Sequence, residues 1–187
     1  MKRAADGAGT HAKAEAEGSE QAHSFLRAHA RLLRNNDWFG VVELCDATLS
    51  LLEMRNANEE LKRFKIHVLC AKAYAHLELA ESGQSCSAFA EAHRIAKAVE
   101  LDNYGLCSIK RAFASALARD GSFKESSAVL AEMVSLCTAK NAPVLLGSFM
   151  AAFHESVPDP TVVEIVLKNV WEHLRDDRAT PTSELKA

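Results

Sequence analysis

From Gln21 to Ala142 the apolar residues return every third or fourth position rather than every second one, and no proline interrupts them. That spacing lays apolar side chains along one face of a helix, so the body of the chain is expected to be all-α. The pattern predicts helices over 21–35, 38–53, 58–81, 85–101, 104–119, 123–139, 144–155 and 160–175. Polar start signals mark three of them: Asp37 before the second, Ser122 with Glu125 before the sixth, and Asp159 followed by Pro160 before the last. Eight helices joined by short turns make four antiparallel hairpins. The Ala/Gly/Glu-rich stretch 1–21 is expected to be a flexible tail, 22–175 the folded domain, and the polar run 176–187 a second flexible tail.

Parts of the pattern recur. "LLRNNDWFGVVELCDATLSLL" (Leu32–Leu52) and "LARDGSFKESSAVLAEMVSLC" (Leu117–Cys137) share a polar turn, an aromatic at Trp38 or Phe123, and then a long amphipathic helix. A looser copy runs from Leu79 to Asn103, with Gly83 taken as its turn residue. On that reading the interval from Asn36 to Gly83 is 47 positions and from Gly83 to Gly121 is 38, an uneven period.

These stretches resemble tetratricopeptide-type (TPR-like) repeats, helix–turn–helix units of about 34 residues. "CAKAY" (Cys70–Tyr74) and "FASA" (Phe113–Ala116) match the small residues at which paired helices touch in that family, and the resemblance covers residues 22–140. It departs from the family at Asn36, which stands where the turn glycine is usual, and in the longer connection "EMRNANEELKRFK". The resemblance implies stacked antiparallel hairpins forming a TPR-like α-solenoid. By the same token it implies a non-enzymatic scaffold or adaptor, a subunit of a multi-protein complex, that binds a partner helix or extended peptide on its concave face.

Composition narrows the function classes. Apolar residues make up 48% and charged residues 25%, ordinary for a folded domain, and the net charge of −3 supplies no field that would draw in a polyanion or an acidic membrane. No run reaches the length of a membrane span, and the N-terminus has no apolar core of a signal peptide. Cys45, Cys70, Cys86, Cys107 and Cys137 lie inside helical patterns with no C-x-x-C, as small buried hydrophobes in a reducing compartment, cytoplasm or nucleus. None of the eight histidines forms an H-E-x-x-H or a Cys/His cluster. No phosphate-cradling glycine loop or nucleophile elbow is present, so no metal, cofactor or catalytic residue is expected.

The candidates are therefore binding residues. Arg27, Arg31, Lys72, His76, Lys110 and Arg111 fall on the first helices of successive hairpins and are expected on the concave face. The asparagines of the clamp with which some TPR domains grip chaperone C-termini are missing there. The last helix carries an apolar arc too broad for one neighbour, so it is expected either to sit between two helices of the domain or to meet another chain, and in the second case Val163, Val170 and Trp171 are the candidates for self-association. "SALARDGSFKESSAVLAEM" (Ser115–Met133) also resembles a pentatricopeptide repeat, which implies single-stranded RNA binding as the alternative function.

Overall fold

The computed structural model describes residues 6–54, 58–99, 101–139 and 143–179. Among these residues there are eight α-helices and no strand: α1 (Asp6–Arg34), α2 (Trp38–Glu53), α3 (Glu59–Glu78), α4 (Ser82–Ala98), α5 (Asn103–Arg119), α6 (Phe123–Ala139), α7 (Pro143–Ser156) and α8 (Pro160–Ala179). The expected helices are present, but α1 starts fifteen residues before the predicted 21, at Asp6. Its alanine- and glutamate-rich beginning has high helix propensity without the amphipathic period on which the prediction relied. The C-terminal tail expected from 176 overlaps the end of α8, and its remainder, 180–187, lies outside the described residues, as do 1–5 of the N-terminal one.

Helix starts follow local chemistry. The Asp37, Asn58 and Asp102 carboxylate or amide oxygens accept the backbone N–H three residues on, at Gly40, Leu61 and Gly105, over 2.8–2.9 Å, and the Asp159 carboxylate accepts Thr161 N–H at 2.9 Å. Each satisfies one orphan donor of a first helical turn.

The three hairpins α1–α2, α3–α4 and α5–α6 close with one and the same turn. In each, a residue with positive φ follows the first helix: Asn36 at 52°, Ala80 at 59° and Gly121 at 83°. Its N–H bonds the carbonyl three residues back, at Leu33, Leu77 or Ala118, and the next residue bonds the carbonyl five back, at Leu32, His76 or Leu117. This is the Schellman pattern, and it fixes the path of the chain into the second helix. Ala80, not Gly83, is therefore the turn residue of the middle unit. The intervals become 44 from Asn36 to Ala80 and 41 from Ala80 to Gly121, much more even than glycine alone suggests.

Ala80 carries a Cβ in a conformation that costs an L-residue about 1–2 kcal/mol, against about 0.5–1 kcal/mol for the freedom glycine loses on folding. Ala80→Gly is thus expected to raise stability by about 0.5–1 kcal/mol, read as a higher urea midpoint at unchanged m. A lower midpoint would show that the turn does not hold Ala80 in the left-handed region.

Packing runs along the chain, α1 on α2, α2 on α3, α3 on α4, α4 on α5 and α5 on α6. The inner helices α3 and α5 are buried on several sides, and their alanines (Ala71, Ala73, Ala75; Ala112, Ala114, Ala116, Ala118) let neighbours approach closely. Four apolar clusters follow one another: Phe25–Val41–Cys45–Val68 at the α1 end, then Ile66–Ala92–Ile95–Ile109, then Leu77–Phe89–Ala112–Ala116, then a larger one where α5 and α6 meet α7 and α8. In that last cluster α7 packs chiefly on α5 and α8 on α6, so each helix continues the layer of the helix two before it. Val163, Val166 and Val170 of α8 are its innermost part, which accounts for the broad apolar arc within the chain.

Candidate functional site

The six cations expected on one concave face do not share a setting. Lys72 reaches across to α2 and pairs with Asp46 at 2.5 Å. The His76 ring is buried, with Nδ1 2.6 Å from the Glu81 carboxylate, so the residue that opens α4 anchors back to α3. Lys110 is buried in α5 and ion-paired to Glu132 of α6. Arg111 donates to the Tyr74 hydroxyl at 3.1 Å. Each of these four is engaged by its own chain, and for His76 and Lys110 the physical reason is that burying an imidazole or ammonium among alanine-rich helices demands a partner. His76 is thereby removed from any open face, while Lys110 meets solvent only where it lines the concavity beside Glu132.

Arg27 and Arg31 differ. Both are exposed on α1, and no carboxylate lies within ion-pair distance of either among the described residues. Arg34, one turn on and also exposed, bonds only the Ala30 carbonyl of its own helix. These arginines line a shallow groove of about 510 Å³ with Ser24, Ala28 and Ala30. At 100° per residue, Leu33, Leu26 and Ala30 form the adjoining edge, and all three are exposed. The opposite face of α1 is docked: Phe25 is buried, stacks on His29 and meets the rings of Phe64 and His67 edge-on. So α1 is amphipathic twice, with one apolar stripe spent on the stack and a second, basic-edged stripe left on the outside.

At the other end the self-association candidates need correction. Val163 is 3% and Val170 5% exposed, both in the core formed with α6. Trp171 is 69% exposed, yet Ile165, the other exposed apolar residue of α8, sits about 120° around the helix from it at 100° per residue. They make no common stripe.

A second concavity, of about 620 Å³, opens between α4 and α6 over α5. Leu106 and Lys110 rise from α5, Lys97 enters from α4, Glu132 and Leu136 from α6, and His173 from α8. Glu132 pairs with Lys110 and lies 3.8 Å from Lys97; burial would raise its carboxyl, but the two ammonium groups hold it below the ordinary carboxylate range. Sequence reasoning had placed Lys110 but not this cleft, because the α4–α6 proximity has no sequence signature.

Near these lysines His93 of α4 sits 6.0 Å from the Phe113 ring, and its buried Nε2 has no hydrogen-bond partner among the described residues. Burial first, then Lys110 and Lys97, push its pKa down to about 4. Unfolded, it would titrate near 6.5. The unfolded chain therefore binds more protons between those values, and the stability conferred by neutral His93 is full above about pH 6.5 and is lost as pH falls toward about 4. His29 and His67, also lowered chiefly by burial, act in the same direction. The urea midpoint is expected to fall between pH 7 and pH 5, and His93→Asn to make that fall shallower; an unchanged slope would mean that the ring is solvated.

The thiols of Cys45, Cys107 and Cys137 are buried as expected, whereas Cys70 and Cys86 are only partly buried. Cys107 and Cys137 lie side by side with sulfurs 3.8 Å apart, and burial pushes Cys107, like Cys45 and Cys70, up to about 12. Neutral buried thiols suit the structural role expected of them. Among the described residues no group of three His, Cys, Asp or Glu side chains is placed to hold a metal ion, and no helix is long and apolar enough to cross a membrane.

The geometry leaves open to solvent an arginine-lined face on α1 and a cleft at α4–α6. The chain matches no protein-family model, no curated protein and no solved structure. Its function has to be argued from these surfaces.

Proposed function

We propose that the protein is a non-enzymatic scaffold or adaptor, a TPR-like α-solenoid that serves as a subunit of a multi-protein complex and holds a protein partner by the outward face of α1. The observation that carries this reading is the stripe of Arg27, Arg31 and Arg34 beside Leu26, Ala30 and Leu33, basic and apolar at helical spacing, with no carboxylate of the described chain to balance it. Three hairpins closed by the same turn support the repeat reading, since equivalent units stacked in line leave a terminal helix with one side uncovered. An amphipathic partner helix would lay its apolar residues along Leu26 and Leu33 and set Asp or Glu against the arginines, whose planar forks donate two N–H bonds to a carboxylate.

On this reading the partner sits at the α1 end of the stack rather than along a concave face. Four of the six residues first considered for that face are engaged within the chain, and Arg27 and Arg31 remain as the binding pair.

The test is recovery of bound material from the source cells with the parent and with Arg27→Glu/Arg31→Glu/Arg34→Glu, each with and without ribonuclease. The account expects a stoichiometric protein that survives nuclease and is lost from the charge-reversed variant at unchanged thermal stability. Recovery of RNA, with protein lost on digestion, would favour the pentatricopeptide-like alternative. Equal recovery by parent and variant would remove α1 from the interface.

A further inference from the structure

The cleft between α4 and α6 is built around a buried cation. The Lys110 side chain is 3% exposed, whereas that of Glu132, its partner, is 53% exposed. An ammonium has three N–H donors. Glu132 takes one, and among the described residues no other acceptor lies within hydrogen-bond distance of the Lys110 nitrogen. A buried ammonium with donors to spare is costly, so a second oxygen ligand arriving in the cleft gains more there than it would at a solvated lysine.

The walls restrict what that ligand is. Leu106 and Leu136 give the cleft apolar sides, and its volume of about 620 Å³ is that of a small-molecule site rather than of a single ordered water. Charge restricts it further. Lys97 and Lys110 bring two positive charges and Glu132 one negative, which leaves a single positive charge from these three residues. One negative charge balances the site; a phosphate dianion would overcharge it beside Glu132.

We infer that the α4–α6 cleft is a binding site for a small apolar monocarboxylate, its carboxylate taking the free N–H donors of Lys110 together with Lys97, and its hydrocarbon part lying between Leu106 and Leu136. The site is independent of the α1 face and stands whether or not the protein is a scaffold.

Octanoate is a suitable probe, with 1-octanol as its neutral isostere. Titrated into the isotopically labelled full chain, octanoate is expected to shift the amide resonances of Leu106, Lys110 and Leu136 saturably, and octanol to bind at least tenfold more weakly. Lys110→Met keeps the length of the side chain and leaves Glu132 partly in water, so the fold should persist, as the unchanged dispersion of the remaining resonances will show. In that variant octanoate should lose its tenfold advantage over octanol. Lys97→Met, at the exposed rim, should weaken octanoate by a smaller factor. Equal binding of octanoate and octanol to the parent, octanoate binding unchanged in Lys110→Met, or no saturable shift at the cleft up to the solubility of octanoate would each overturn the assignment.

Discussion

Glu132→Gln is expected to destabilise the protein by about 3 kcal/mol at pH 7, the lower end of the range for breaking a buried ion pair. The reason lies in the asymmetry of the pair. Glu132 is half in water, but Lys110 is enclosed by α5 and its neighbours and would be left as a buried charge with a weak neutral acceptor. Lys110→Met strands only a carboxylate that water can reach, so it should cost far less. Lys110→Met together with Glu132→Leu removes both charges and should recover most of the loss.

The same pair sets an acid limb. Glu132 is held below its unfolded value, so its contribution is present above about pH 4.3 and disappears as pH falls through the lower folded pKa. Parent and Glu132→Gln should therefore converge in stability toward pH 3. Urea unfolding at pH 7 and pH 3 measures both statements, and a difference that persisted undiminished in acid would mean that the carboxylate is not the source.

The second large effect is at Phe89. Its ring is fully buried in α4, meets Tyr74 edge-on at 5.2 Å, and is surrounded by Ala73, Leu77, Ala112 and Ala116. Phe89→Ala removes the largest fully buried side chain from a cluster rich in alanines, and alanines on rigid helices cannot close the space. The expected cost is about 3–5 kcal/mol, out of the roughly 5–15 kcal/mol that holds a domain together. Phe89→Leu, which keeps part of the volume, should cost less than half as much. Denaturant midpoints decide it; a loss under about 1 kcal/mol for Phe89→Ala would show that α3, α4 and α5 are not packed through this ring.

Helix positions were legible because each helix buries one face, and the caps at Asp37 and Asp159 stood where sequence alone put them. The turn of the middle hairpin was not, because glycine was taken as its marker and the chain uses Ala80 in a conformation that alanine seldom adopts. The beginning of α1 was missed because propensity, not periodicity, makes it helical. Among the binding candidates, cationic type and helix face could be read, but which cations are spent inside the chain could not. Lys72 with Asp46 and Lys110 with Glu132 are partners 26 and 22 residues apart, and the pairing exists only once the helices are stacked. The broad arc of α8 left two readings open, burial within the domain or an interface, and α8 folding back on α6 buries Val163 and Val170 within the chain.

The claim that α1 is the docking face is tested most directly by placing a photo-reactive benzoylphenylalanine at Leu26, Leu33 or, as a control, Trp171, and irradiating the protein in its source cells. All three positions are exposed, so none of the substitutions enters the core. The account predicts one cross-linked polypeptide from positions 26 and 33, resistant to ribonuclease, absent when Arg27 and Arg31 are changed to Glu, and not obtained from position 171. Cross-links to RNA, or a polypeptide captured from 171 and not from 26 or 33, would contradict it.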